Sequence, residues 1–132
     1  MTSNSGTAPE AKKLLIIDDE RDFGDYVGEV GKELGFQAVV TDNASDFMKS
    51  YQAQEPAVIV LDMVMPGVDG VELIGWLAKQ KCQSRILIVT GFNPRYAELA
   101  EDLGGAKGLR DIKSFTKPIR LADLRAALSL PE

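Results

Sequence analysis

Apolar and polar positions follow two alternating periods along this chain, and the switches between them lay out its elements. Residues 14–17 read Leu-Leu-Ile-Ile and stop abruptly at Asp18-Asp19. A run this short and aliphatic predicts a strand buried on both faces over Lys13–Ile17. The period then lengthens: Phe23, Tyr26, Val27, Val30 and Leu34 recur at helical spacing over 21–34, and Gly35 supplies a stop. A second strand is predicted over 36–40. Thr41-Asp42-Asn43 offers capping oxygens for a helix over 44–54, which ends because Pro56 disfavours helical geometry at Glu55. The apolar run 57–61 predicts a third strand, and it too ends on an aspartate, Asp62. Pro66-Gly67 and Asp69-Gly70 mark a loop. Val71, Leu73, Ile74, Leu77 and Ala78 give the next helix, and 85–89 a fourth strand closing on Thr90-Gly91. A helix over 94–103 follows, with its extension towards Leu109 opposed by Gly104-Gly105. A weaker fifth strand over 111–116 ends at Lys117-Pro118, and Leu121, Leu124, Arg125 and Leu128 mark a last helix.

Strand then helix, five times over, predicts an α/β fold: a doubly wound, five-stranded parallel sheet, (βα)5, with helices on both faces. Ligands of such sheets bind outside the carboxyl ends of the strands. Asp18, Asp19, Asp62, Thr90 and Lys117 all fall there, from four different strands, with Asp62 on the strand that reads as central. Each has an ordinary explanation alone. A paired aspartate after a strand is commonly a helix cap, a threonine can close a strand, and most lysines are simply solvated. Joint placement on one rim is what those explanations do not cover.

The 132 residues suit one domain over 13–130 behind a polar, flexible tail at 1–12. With 45% hydrophobic residues the chain can bury a core unaided, and the single cysteine, Cys82, reads as a small buried apolar residue in a reducing, cytoplasmic setting. No apolar run is long enough for a membrane span. A net charge of −5 gives no counterion-release gain on nucleic acid and none on an anionic membrane. There is no histidine, which removes the usual general base and the usual transition-metal ligand. Clustered aspartates repel one another unless a cation joins them, and oxygen donors alone favour Mg²⁺ or Mn²⁺. A carboxylate nucleophile (Asp62), acidic metal ligands (Asp18, Asp19), an ammonium (Lys117) and a hydroxyl (Thr90) suit in-line phosphoryl transfer.

Four stretches, Leu14–Glu20, Ile59–Gly70, Ile88–Gly91 and Thr116–Pro118, together resemble the receiver domain of two-component response regulators, which has the flavodoxin-like doubly wound fold. The resemblance covers about 13–130. It implies that Asp62 accepts a phosphoryl group from a histidine kinase or histidine phosphotransfer protein, and that the chain is a signalling switch rather than an enzyme. It implies direct Mg²⁺ ligation by Asp19, Asp62 and the backbone carbonyl of Val64, with Asp18 acting through water. Lys117 pairs with Asp62 and then with the phosphoryl oxygens, while Thr90 moves onto the phosphoryl group and shifts the face of the fourth helix, fifth strand and fifth helix. The bond before Pro118 is expected to be cis. Output passes to a downstream protein partner or a fused output domain, and the chain is either a stand-alone regulator or a piece of a longer one.

Some residues depart from the pattern. Ser114 occupies a position where the family usually has an aromatic switch, and Phe115 is expected to face the other way. The stretch from Thr90 to Lys117 is a few residues longer than usual. Val64 and Phe92, each two residues beyond a site residue, are apolar and are expected to shield an aspartyl phosphate from water. Two alternatives use the same rim: a Mg²⁺-dependent phosphohydrolase with an aspartyl nucleophile, and a receiver-like scaffold that is never phosphorylated.

Overall fold

The computed structural model describes residues 12–65, 67–91 and 94–129. The expectations for most of the tail, for Pro66 and for Phe92 lie outside the described residues.

Five parallel strands form one sheet: β1 (Lys13–Ile17), β2 (Gln37–Thr41), β3 (Val58–Asp62), β6 (Arg85–Thr90) and β7 (Ile112–Thr116). Their order is β2-β1-β3-β6-β7, which puts β3 in the middle. The helices are α1 (Arg21–Glu33), α2 (Ala44–Ala53), α3 (Gly70–Lys79), α4 (Pro94–Ala106) and α5 (Leu121–Leu128). Between β3 and α3, where the sequence read only a loop, β4 (Val64–Met65) and β5 (Val68–Asp69) pair antiparallel as a two-residue ribbon. Strands so short carry no periodicity and could not be told from a turn.

Strand alternation divides the core in two. Leu15, Ile17, Ile59, Leu61, Ile86 and Ile88 face α2, α3 and α4, where they meet Phe47, Leu73, Ile74, Leu77 and Ala100. Leu14, Ile16, Val58, Val60, Leu87 and Val89 face α1 and α5, where they meet Val27, Val30, Leu124 and Leu128. Burial on both faces holds for β1, β3 and β6 but not for the edge strand β2, where Val39 and Val40 are exposed. Ser114 lies beside Ile88 and Phe115 beside Val89 in the β6–β7 register. Phe115 accordingly packs into the α1–α5 layer, on the face opposite Ser114, as alternation required. Cys82 is buried and free.

The inner face of α1 carries Gly24, Gly28 and Gly31 beside Val27 and Val30, and the glycines let the helix pack closely on β1 and β2. A Cβ on Gly31 would overlap the Leu14 side chain, and one on Gly24 would come within 2.9 Å of Val40. α4 continues through Gly104-Gly105 instead of ending at 103. Gly104 is buried there, with Ile112 2.8 Å from where its Cβ would be. Tight packing against β7 therefore overrides the poor helix propensity of the pair. At the amino ends of the strands, Arg85 Nε donates to Asp111 Oδ2 at 2.9 Å, and its Nη1 donates to the carbonyls of Ala127 and Ser129. These bonds join β6, β7 and the end of α5 at that end of the sheet. Among the described residues no helix is long and apolar enough to cross a membrane.

Candidate functional site

The strands deliver their terminal polar groups to one rim. Asp18 follows β1, and its backbone N–H donates to the carbonyl of Thr41, which keeps it in line with the sheet. Its Oδ1 accepts from the Glu20 N–H at 2.8 Å, so the turn into α1 is closed by the aspartate. Asp62 is the last residue of β3, next to Val89 in register, so its side chain shares the α1–α5 side of the sheet. Its Oδ1 accepts from the Val64 N–H at 3.2 Å, which folds the chain back over the carboxylate and into β4. Thr90 ends β6 with the parity of Ile86 and Ile88, on the side of α4, and its carbonyl accepts from the Lys117 N–H at 2.8 Å. The Lys117–Pro118 peptide is cis.

Asp18, Asp62 and Thr90 are buried, at 1%, 3% and 0% exposure. Asp19, Glu20, Asp62, Val64, Gly91 and Lys117 line an open depression of about 380 Å³ above them. A larger cleft of about 700 Å³, lined by Met48, Leu73, Trp76 and Lys107 among others, shares none of the strand-end groups. Size does not select the site here; chemistry does.

Burial, and then the charge of Asp18, push the Asp62 carboxyl up to about 6, against the Val64 hydrogen bond and the Lys117 charge, which pull it down. Burial works to lower the Lys117 ammonium. Its contacts with Asp18 and Glu20 and the charges of Asp62 and Asp18 outweigh that, and the net shift is upward. The Nζ lies 2.8 Å from Asp18 Oδ2, 3.1 Å from Glu20 Oε1 and 3.7 Å from Asp62 Oδ2. The shortest of these approaches pairs the Lys117 ammonium with buried Asp18 Oδ2.

Carboxylate oxygens of Asp18, Asp19 and Asp62 lie within 4.8 Å of one another. A hard divalent ion, with bonds of about 2.0–2.6 Å, can gather oxygens this close into one coordination shell. The all-oxygen donor set and the excess of carboxylate over ammonium both fit such an ion.

The sequence reading brought these five residues together, and the structure places them on one rim. It missed Glu20 and Phe23, which also contact the Lys117 ammonium, the Phe23 ring centroid lying 4.4 Å from Nζ. The available signal was a third acid directly after the aspartate pair, with an aromatic residue one turn into the helix.

The model of the response regulator receiver domain matches residues 14–129. The chain belongs to this family. The receiver domain is 27% identical over 117 residues to sporulation initiation phosphotransferase F of Bacillus subtilis, covering 89% of this chain and 90% of that one. It is also 27% identical over 115 residues to the alkaline phosphatase synthesis transcriptional regulatory protein PhoP of the same organism. There it covers 87% of this chain but 46% of the relative, so the receiver domain spans about half of PhoP's length. Among solved structures, a response regulator of Burkholderia pseudomallei, crystallised with a phosphorylated aspartic acid, a calcium ion and citrate, has the same fold. Its TM-score is 0.73 at 23% identity, over 89% of this chain and 66% of that one.

Proposed function

We propose that this receiver domain takes a phosphoryl group on Asp62 from a phosphohistidine of a histidine kinase or histidine phosphotransfer protein. The observation that carries the reading is the buried Asp62 carboxylate at an open depression, with two further aspartates and an ammonium on the same rim. An Asp62 oxygen attacks phosphorus in line. The phosphorus–nitrogen bond breaks, and its electron pair leaves with the partner's imidazole, so this chain needs no histidine of its own.

Asp19, Asp62 and the Val64 backbone carbonyl would hold Mg²⁺ or Mn²⁺, with Asp18 acting through water. When bound, that ion supplies positive charge against the phosphoryl oxygens. Lys117 would supply a second positive charge to the phosphoryl oxygens. Thr90, whose parity aims it towards α4, donates its hydroxyl to a phosphoryl oxygen. Added charge of about −1.5 to −2 on the rim then shifts the face of α4, β7 and α5, and a downstream protein partner or a fused output domain reads that shift. Ser114 leaves this face without the usual aromatic reporter, so Thr90 and α4 carry the change. The open, shallow depression suits a macromolecular donor better than a small phosphate ester.

The test is phosphoramidate, a small phosphorus–nitrogen donor, offered with Mg²⁺ or with a chelator and followed by ³¹P NMR. One acyl phosphate per chain, formed only with the divalent ion, is expected. No labelling with Mg²⁺, or sustained turnover of p-nitrophenyl phosphate, would contradict the reading.

A further inference from the structure

Lys117 is not held by Asp62 alone. Its ammonium lies between two sets of partners. Asp18 and Asp62 are on the sheet side, at 2.8 and 3.7 Å. Glu20 Oε1, at 3.1 Å, and the Phe23 ring, at 4.4 Å to its centroid, are on the side of α1. Glu20 occupies the cap position of α1, yet its side chain makes no capping hydrogen bond. Its backbone N–H is taken by Asp18, and its carboxylate, 60% exposed, turns onto Lys117 instead. Phe23 presents a ring to the same ammonium at a distance where the ring quadrupole attracts a cation.

Asp18 and Asp62 belong to the set that would hold a divalent cation, so ammonium and cation compete for the same carboxylates. Glu20 is outside that set. Whatever draws the ammonium towards α1 weakens its competition for Asp18.

We propose that Glu20, with the Phe23 ring beside it, is a positioning residue that draws Lys117 towards α1 and so sets how strongly Asp18, Asp19 and Asp62 hold a divalent cation. This rests on the reading of those three aspartates as the cation site. Without the Glu20 charge, the remaining anionic partners of the ammonium all belong to the site. Lys117 then settles onto Asp18 and Asp62, and an incoming cation must displace it.

The experiment is calorimetric titration of the full chain with Mg²⁺, for wild type, Glu20→Gln, Lys117→Met and the double variant, with thermal melts to verify folding. Glu20→Gln is expected to weaken Mg²⁺ binding about threefold to fivefold, the upper part of the range of an exposed charge pair. In the Lys117→Met background the same substitution is expected to change affinity by less than about twofold, because its route of action is gone. Wild-type affinity in Glu20→Gln would overturn the inference. So would an equal loss with and without Lys117, which is the signature of Glu20 attracting the cation directly. A wild type that takes up no Mg²⁺ would remove the cation site itself and this inference with it.

Discussion

At the scale of single residues, the site is a set of charges the fold holds at a cost. The Asp62 carboxyl is held up to about 6, against an ordinary 3.8, by burial first and by Asp18 second. In the unfolded chain it loses its proton near its ordinary value, whereas in the fold it keeps the proton until about pH 6. With a chelator present, the Asp62 contribution to stability should therefore rise as pH falls from about 6 towards 4, by roughly 2–3 kcal/mol. Urea melts of wild type beside Asp62→Asn across that range check this, and parallel profiles would contradict it. Asp62→Asn removes the same penalty, so its melting temperature in chelator at neutral pH should exceed that of wild type. Val64 lies 45% exposed on the rim of the depression. If its apolar side chain shields an aspartyl phosphate, Val64→Asn should shorten the phosphoaspartate lifetime severalfold. Equal lifetimes would dismiss the shielding. Asp18, Asp19, Asp62, Thr90 and Lys117 were legible in the sequence because each closes or follows a strand, and parallel strands gather such residues at one edge. Glu20 and Phe23 were not legible as partners of Lys117. That contact depends on how closely α1 approaches the sheet and on which way a cap side chain turns, and neither has a spacing to read.

At the scale of elements, glycines show where packing has overruled local preference. Gly104 and Gly105 are neighbours in α4 with opposite surroundings. A Cβ at Gly104 meets Ile112 at 2.8 Å, Leu109 at 3.2 Å and Ile74 at 3.3 Å, whereas one at Gly105 meets nothing within 4 Å. Gly104→Ala should destabilise the domain by about 1–3 kcal/mol through overpacking. Gly105→Ala should be neutral or stabilise it by up to about 1 kcal/mol, through helix propensity. Denaturant melts of the two variants decide, and equal effects would contradict the packing account. Strand–helix alternation was legible because β1, β3 and β6 are apolar throughout and sharply bounded. The β4–β5 ribbon was not, since a pair of residues has no period. Nor was the exposure of β2, because sequence does not say which strand lies at an edge.

At the scale of the whole molecule, the two ends of the sheet do different work. Arg85 ties β6, β7 and the end of α5 together at the amino end. The carboxyl end concentrates charge, and in the function proposed above Thr90 relays a change from there towards α4. Beryllofluoride with Mg²⁺ should alter amide hydrogen exchange in α4 and β7, and Thr90→Ala should suppress that change while leaving Asp62 able to accept the group. Unchanged exchange in α4 and β7 would mean that the output surface lies elsewhere. All of this depends on one covalent event at one carboxylate. Its most direct test is intact mass after acetyl phosphate with Mg²⁺, for wild type beside Asp62→Asn. The account predicts that wild type gains the mass of a single phosphoryl group and Asp62→Asn gains none. An unmodified wild type, or equal modification of both proteins, would contradict it.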